Sequence, residues 1–300
     1  MLPIDERTPV AQRRNASVTA VVVTEKRVVA EGVVSLELSA AHGGRLPDWA
    51  PGAHIDLILP NGLTRQYSLC GDRWTPDRYQ VGVLKEPASR GGSAYVHDVL
   101  AVGDQIEIGG PRNNFALVPS PTYLFVAGGI GITPLLPMIR QADMLGTNWH
   151  LLYGGRRRAS MAFLDELSAY GDRVTVAPQD ESGLLDLPAF LGDPRAGTKV
   201  YACGPVPLLD AIERAMVGWP KYALRSERFV GHTNLSATSP TTFEVTLART
   251  GVTVTVGPDD SVLDVVRAAG VDVLSSCQQG TCGTCEVTVL RGTPDHRDAV

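Results

Sequence analysis

The sequence has no uninterrupted apolar run long enough to cross a bilayer. Its longest mostly apolar stretch, residues 123–139, is broken by Gly128, Gly129, Gly131, Pro134 and Pro137 and falls short of the ~20 residues that a spanning helix needs. No membrane partner is expected. An apolar leader is also missing: residues 1–17 carry Asp5, Glu6, Arg7, Arg13 and Arg14, the composition of a flexible polar tail, so a cytoplasmic protein is expected. Positive charge is not in excess, with 27 Lys and Arg against 32 Asp and Glu and a net charge of −5. That excludes the basic blanket that binds a phosphate backbone, and no nucleic acid partner is expected. Cysteines are few. Five is an odd number, and three of them crowd between residues 277 and 285, which is not a disulfide framework. There is no internal repeat, no low-complexity tract, no supported Ser–His–Asp triad and no H-E-x-x-H zinc motif.

What is present is an ordinary globular composition, 44% hydrophobic and 20% charged over 300 residues, enough for two or three domains. After a tail over residues 1–16, residues 17–115 read as short alternating strands: Val21 and Val23, Val28 and Val29, then 33–38 and 54–59, ended by the Pro60-Asn61-Gly62 turn. With a helix near 93–100 and a strand at 105–108, the pattern predicts a small closed antiparallel β-barrel. From 116 to 230 the pattern changes to apolar strands at 123–127, 149–153, 174–177 and 199–202, with helices at 134–145, 162–169 and 207–216 between them. This is a doubly wound parallel α/β sheet. Residues 231–242 read as a linker, and 243–300 as a third domain with two alternating strands and a helix over 261–269. The fold class expected is therefore multidomain, α+β and α/β.

The sharpest motif is Cys277, Cys282 and Cys285. Their C-x4-C-x2-C spacing is that of a plant-type [2Fe–2S] cluster, and Gly280 and Gly283 suit a loop wrapped closely around it. A zinc site or loose thiols are the alternative, although zinc sites usually pair cysteines as two C-x2-C units. A plant-type cluster takes a fourth cysteine, and none follows Cys285. Cys70 and Cys203 lie in the other two domains.

Ser276-Cys277 and Gly280-Thr281-Cys282-Gly283-Thr284-Cys285 resemble the C-terminal ferredoxin domain of the phthalate dioxygenase reductase family, and the likeness extends along the chain from about residue 18. The resemblance implies a β-grasp ferredoxin fold for the third domain. It also places a fourth cysteine some tens of residues further on, so the sequence reads as a truncated form.

Arg65-Gln66-Tyr67-Ser68 resembles the family's flavin strand. Tyr67 would stack on the isoalloxazine, Ser68 would bond its N5 edge and Arg65 would pair with phosphate, with core packing the alternative for Tyr67. Arg90-Gly91-Gly92-Ser93 resembles the segment that takes the FMN phosphate, a tight turn being the alternative. Gly128-Gly129-Ile130-Gly131-Ile132-Thr133-Pro134 follows a strand and opens a helix, with Thr133 the expected N-cap and Pro134 the first helical residue. It resembles the nicotinamide-binding loop, as does Cys203-Gly204-Pro205, where the family places a cysteine near the hydride path; a small buried hydrophobe is the alternative for Cys203. Glu227-Arg228-Phe229 resembles the E-x-F that closes on the flavin, or else anchors hydrophobically.

Arg156, Arg157 and Arg158 follow the second parallel strand, where relatives read the adenosine ribose. Arginine there accepts a 2′-phosphate and favours NADPH over NADH, and a solvated basic turn is the alternative. The lone helical His97 is given no catalytic role.

Together the resemblance implies an NAD(P)H-dependent reductase that passes electrons through FMN and a [2Fe–2S] cluster to a terminal oxygenase. That oxygenase would be a separate Rieske-type enzyme or a cytochrome P450, which in some relatives is fused to the reductase. The alternatives are a flavin diaphorase with a vestigial cluster domain, and a non-catalytic electron-carrier or redox-sensing subunit.

Overall fold

The computed structural model describes residues 18–87, 91–229, 242–258, 260–271, 273, 280 and 285–294. The chain forms two compact units that divide between Glu227 and Arg228.

The first unit opens with six antiparallel strands: β1 (Thr19–Ala30), β2 (Val33–Ala40), β3 (His54–Ile58), β4 (Thr64–Ser68), β5 (Arg78–Leu84) and β6 (Gln105–Arg112), in the order β4-β3-β6-β1-β2-β5. A lone bridge, Leu69 to Val81, joins the end of β4 to β5 and brings the two edges of the sheet together. The Val21/Val23 and Val28/Val29 runs are one long strand, bent by a bulge between Val23 and Glu25. The inward set includes Val21, Val23, Leu36, Leu38, Ile55, Leu57, Val81 and Ile108, all fully buried. Between β3 and β4, Gly62 takes a φ of +79°, the conformation glycine adopts at little cost, and the Asn61 side chain accepts from the Leu63 amide at 3.2 Å. Helix α1 (Gly92–Asp98) lies between β5 and β6.

Five parallel strands follow: β7 (Thr122–Gly128), β8 (Asn148–Gly155), β9 (Val174–Pro178), β10 (Thr198–Cys203) and β11 (Leu224–Glu227), ordered β11-β10-β7-β8-β9. The helices between them are α2 (Leu135–Met144), α3 (Leu164–Ser168), α4 (Gln179–Ser182), α5 (Leu187–Leu191) and α6 (Val206–Ala215). One face of this sheet is packed around Phe125, Trp149, Leu151 and Tyr201, the other around Val126, Val200, Leu209 and Ile212. Cys70, just beyond β4 of the barrel, is buried in the first of these clusters.

Thr133 does not cap α2. A 3-10 turn over Gly129–Ile132 starts the helical path four residues earlier, so Thr133 is already helical, and its hydroxyl donates back to the Ile130 carbonyl at 2.9 Å. Pro134 occupies the cap position instead.

The second unit shows a hairpin of β12 (Phe243–Thr246) and β13 (Thr253–Val256), then α7 (Val262–Ala268), capped by Ser261, which accepts from the Asp264 amide at 3.0 Å. Among the described residues no helix is long and apolar enough to cross a membrane.

Candidate functional site

In the parallel sheet the chain runs from β7 outward through β8 and β9, then returns to place β10 and β11 on the other side. The strand order therefore switches between β7 and β10, and the carboxyl ends of these two strands border the crevice in which doubly wound sheets hold their ligands. The predicted glycines lie at this point, but with different duties. A Cβ on Gly131 would fall 2.2 Å from the Cys203 carbonyl oxygen, one on Gly128 would meet Pro205 and Leu208 at 2.7 Å, and one on Gly204 would approach the Gly128 backbone at 3.0 Å. These three let the two strand ends interlock. Gly129, at φ +54°, faces open space, so its edge of the loop is the one that leaves room for a ligand.

Cys203 is a fully buried thiol, and burial, followed by the nearby Glu227 carboxyl, pushes its pKa well above the ordinary range, so it stays neutral. Glu227 pairs in register with Cys203 across β10 and β11. Its Oε2 is enclosed with no hydrogen-bond partner among the described residues, and burial raises its pKa to about 8. An acid held neutral with an unused donor is suited to a polar ligand group. Phe229 belongs to the second unit and is exposed.

On the barrel, β3 and β4 align Ile55 with Tyr67, Leu57 with Arg65 and His54 with Ser68. Tyr67 packs partly against the barrel core, and burial raises its pKa to about 12, so the ring is neutral. Ser68 and His54 are both buried; burial and then the nearby Arg112 lower the His54 pKa to about 4. Arg65 lies across the turn before α1, where a Cβ on Gly92 would fall 2.5 Å from its Cγ and 2.6 Å from its Nε. Gly91 has the φ of +93° that this turn requires, and Ser93 is buried with its hydroxyl accepting from the Glu86 amide at 3.1 Å. A guanidinium beside a glycine turn suits a phosphate. Arg90 lies outside the described residues. His97 is tied into the scaffold, its Nε2–H donating to the Val83 carbonyl at 2.9 Å.

The three arginines after β8 do not form one cationic patch. Arg158 makes a two-pronged pair with Glu181, at 3.1 and 2.8 Å, and Arg157 pairs with Glu31 at 3.0 Å, whereas the exposed Arg156 makes no ion pair among the described residues.

Of the cluster cysteines, Cys277 and Cys282 lie outside the described residues. Cys285 is half-buried and forms no disulfide among them, and Gly280 has the left-handed φ of +66° of a tight loop. Thiolate donors on such a loop are chemically suited to iron.

Two features have no motif in the sequence. Asp56, a buried residue of β3, is paired with Arg112 at 2.6 Å and accepts from Gln66 at 3.1 Å. Arg140, the lone cation in the apolar run Leu135 to Ile139 and beyond, reaches out of α2 to the barrel. Its isolation in that run is the signal that marks it.

The 2Fe-2S iron-sulfur cluster binding domain matches residues 245–300 and the oxidoreductase NAD-binding domain residues 125–214. The chain is 46% identical to "Phenoxybenzoate dioxygenase subunit beta" of Ectopseudomonas oleovorans over 276 residues, covering 90% of this chain and 85% of that one. The crystal structure of phthalate dioxygenase reductase, described as a modular structure for electron transfer from pyridine nucleotides to [2Fe-2S], has a TM-score of 0.76 at 34% identity and covers 95% of this chain and 90% of that one. An intact type IV self-sufficient cytochrome P450 monooxygenase has a TM-score of 0.87 at 42% identity; it covers all of this chain, which spans 39% of that one. The chain belongs to the phthalate dioxygenase reductase family, NAD(P)H-dependent reductases that carry FMN and a [2Fe–2S] cluster and pass electrons to an oxygenase.

Proposed function

We propose that this reductase serves a terminal oxygenase in the cytoplasm, and that its hydride transfer takes place where the barrel meets the glycine loop. One observation carries this reading. A Cβ on Gly82 of β5 would come within 2.8 Å of the Thr133 side chain and 3.3 Å of Phe163, so the barrel is seated at β5 directly on the end of the glycine loop. Two cofactors bound on either side of that contact would be brought together without a large domain movement.

FMN held there would supply the switch between two-electron hydride chemistry and one-electron transfer. In this reading Arg65, with Gly91, Gly92, Ser93 and Arg90, holds the FMN phosphate. Tyr67 supplies a neutral aromatic face, and Ser68 a hydroxyl toward the flavin edge. Gly128, Gly129, Gly131 and Thr133 shape the nucleotide loop, and Gly204 and Pro205 close it from β10. Glu227, protonated below about pH 8, donates to the nicotinamide side, and the neutral Cys203 backs it as a packing group rather than a nucleophile. Cys277, Cys282 and Cys285 bind the cluster.

The arrangement after β8 favours NADPH through Arg156, while the Arg158–Glu181 pair holds back a second cation. The partner we favour is a separate Rieske-type oxygenase, because the relatives that this chain nearly spans in length are named as oxygenase-system components. A cytochrome P450 is the second reading, supported by the likeness to the self-sufficient enzyme.

The test is an anaerobic visible spectrum with an iron count, followed by separate titrations with NADH and NADPH. Flavin bands bleached by either nucleotide support the reading, and bleaching at lower NADPH concentration supports the cofactor preference. A flavin-free protein, or a flavin that neither nucleotide bleaches, would refute it.

A further inference from the structure

The guanidinium of Arg140 lies on the seam between barrel and sheet. Its Nη1 donates to the carbonyls of Cys70 and Gly71, each at 2.7 Å, while Nε at 2.8 Å and Nη2 at 2.5 Å hold the Glu166 carboxylate. The two carbonyls stand two and three residues beyond Ser68, at the exit of the flavin strand. The arginine stands on α2, which grows out of the glycine loop, and Glu166 is on α3 of the same sheet domain. One planar cation thus ties the end of the flavin strand to the helix that carries the nucleotide loop, and a carboxylate fixes its orientation. Charge-assisted bonds of this kind are the stronger and more directional class, and a fork of donors constrains angle as well as distance. At the turn between β1 and β2 the Glu31 amide donates to the Ala159 carbonyl at 2.7 Å and Glu31 pairs with Arg157, but Arg140 is the tie that reaches the exit of the flavin strand, beside the packing of Gly82 on Thr133.

We infer that Arg140 is a positioning residue for hydride transfer: it fixes the register of the flavin strand against the nucleotide loop without touching either cofactor. The inference rests on the reading of the two cofactor sites given above. Because a displacement of roughly 1 Å between reacting groups can cost about 100-fold in rate, loosening this tie acts on the chemical step more than on binding.

The experiment uses the full holoprotein with Arg140→Gln, Arg140→Lys and Glu166→Gln. The readouts are anaerobic rapid-mixing kinetics of flavin reduction, the long-wavelength absorbance of the nicotinamide–flavin contact, and amide hydrogen exchange over residues 69–75. Arg140→Gln is expected to keep its FMN and to lower the limiting reduction rate about 10- to 100-fold, with the nucleotide Kd changed less than about threefold. Its contact absorbance should weaken and exchange over 69–75 should quicken. Arg140→Lys should recover part of the rate, and Glu166→Gln, which leaves the arginine in place but unaligned, should show a smaller fall of the same kind.

An unchanged limiting rate in Arg140→Gln with bound FMN would overturn the inference. If Arg140→Gln does not fold, a wild-type limiting rate and contact absorbance in Glu166→Gln would overturn it equally. A wild-type protein that neither nucleotide reduces would instead refute the proposed function.

Discussion

Substituting Gly131 by alanine tests the interlock between the two strand ends. The added methyl would stand 2.2 Å from the Cys203 carbonyl oxygen and 2.4 Å from its carbon, about 0.8 Å inside the 3.0 Å limit for real Cβ contacts. Both obstacles are backbone within a central strand, so no side-chain rotation relieves the clash. Either the loop lifts off β10 or β10 shifts in the sheet. Overpacking of this kind costs about 1–3 kcal/mol, and for a unit of this size each kcal/mol lowers Tm by about 2–4 °C. The expected result is a Tm lower by about 2–12 °C with the fold retained. With the nucleotide on this loop, as proposed, a shift approaching 1 Å should also slow flavin reduction by about 100-fold at saturating nucleotide. Gly129→Ala is the comparison: it meets nothing within 4 Å but is strained at φ +54°, costing about 1–2 kcal/mol without moving the strand ends apart. Scanning calorimetry and anaerobic rapid mixing read both effects. A Gly131→Ala protein with wild-type Tm and wild-type reduction rate would refute the reasoning.

Other outcomes follow from the same geometry. Glu227 keeps its proton in the native state up to about pH 8, whereas the unfolded chain releases it near 4.5, so its contribution to stability falls as pH rises between those values. The nucleotide Kd should rise through about pH 8 in the wild type and lose that inflection in Glu227→Gln; an unshifted inflection in the variant would assign it to another group. Asp56→Ala should cost about 3–5 kcal/mol in denaturant unfolding, because it strands Arg112 at a largely buried pair; a loss below about 1 kcal/mol would show the pair to be solvent-screened. Glu181→Gln should raise kcat/KM for NADPH relative to NADH by releasing Arg158, and an unchanged ratio would remove that pair from cofactor choice. Cys282→Ser should abolish reduction of a one-electron acceptor protein while nucleotide-driven flavin reduction continues, as measured by acceptor absorbance; loss of both would contradict separate electron-transfer steps.

The parts of the fold readable from the sequence are those where burial imposes a pattern. The apolar runs of β7, β8 and β10 are enclosed on both faces and stand out, as does the alternation of β1, β2 and β5. Strand β11 is hidden because Leu224-Arg225-Ser226-Glu227 lies at the sheet edge, where little needs to be apolar. The place of Thr133 before Pro134 predicts a cap, but cap chemistry depends on where the helical path begins, and Gly129 to Ile132 begin it early. For the site, glycines and motif residues are visible as types, while their duties are not. That Gly131 serves backbone packing and Gly129 faces open space depends on β10, some seventy residues away. Arg140 and Asp56 act through partners distant in sequence, which no local spacing encodes.

The single bridge from Leu69 to Val81 has a thermodynamic consequence. It fastens the ring of strands immediately after Ser68, so the weakest join of the barrel and the strand assigned to the flavin are neighbours. Breathing of the barrel at this join and escape of the cofactor would then be one motion. Mass action would couple them, each tenfold excess of FMN over its Kd holding the join shut by about 1.4 kcal/mol more. A protein depleted of flavin should therefore unzip first between β4 and β5, exposing Cys70, a thiol whose pKa burial otherwise raises to about 12, to alkylating reagents. The state of that one cysteine would report cofactor occupancy.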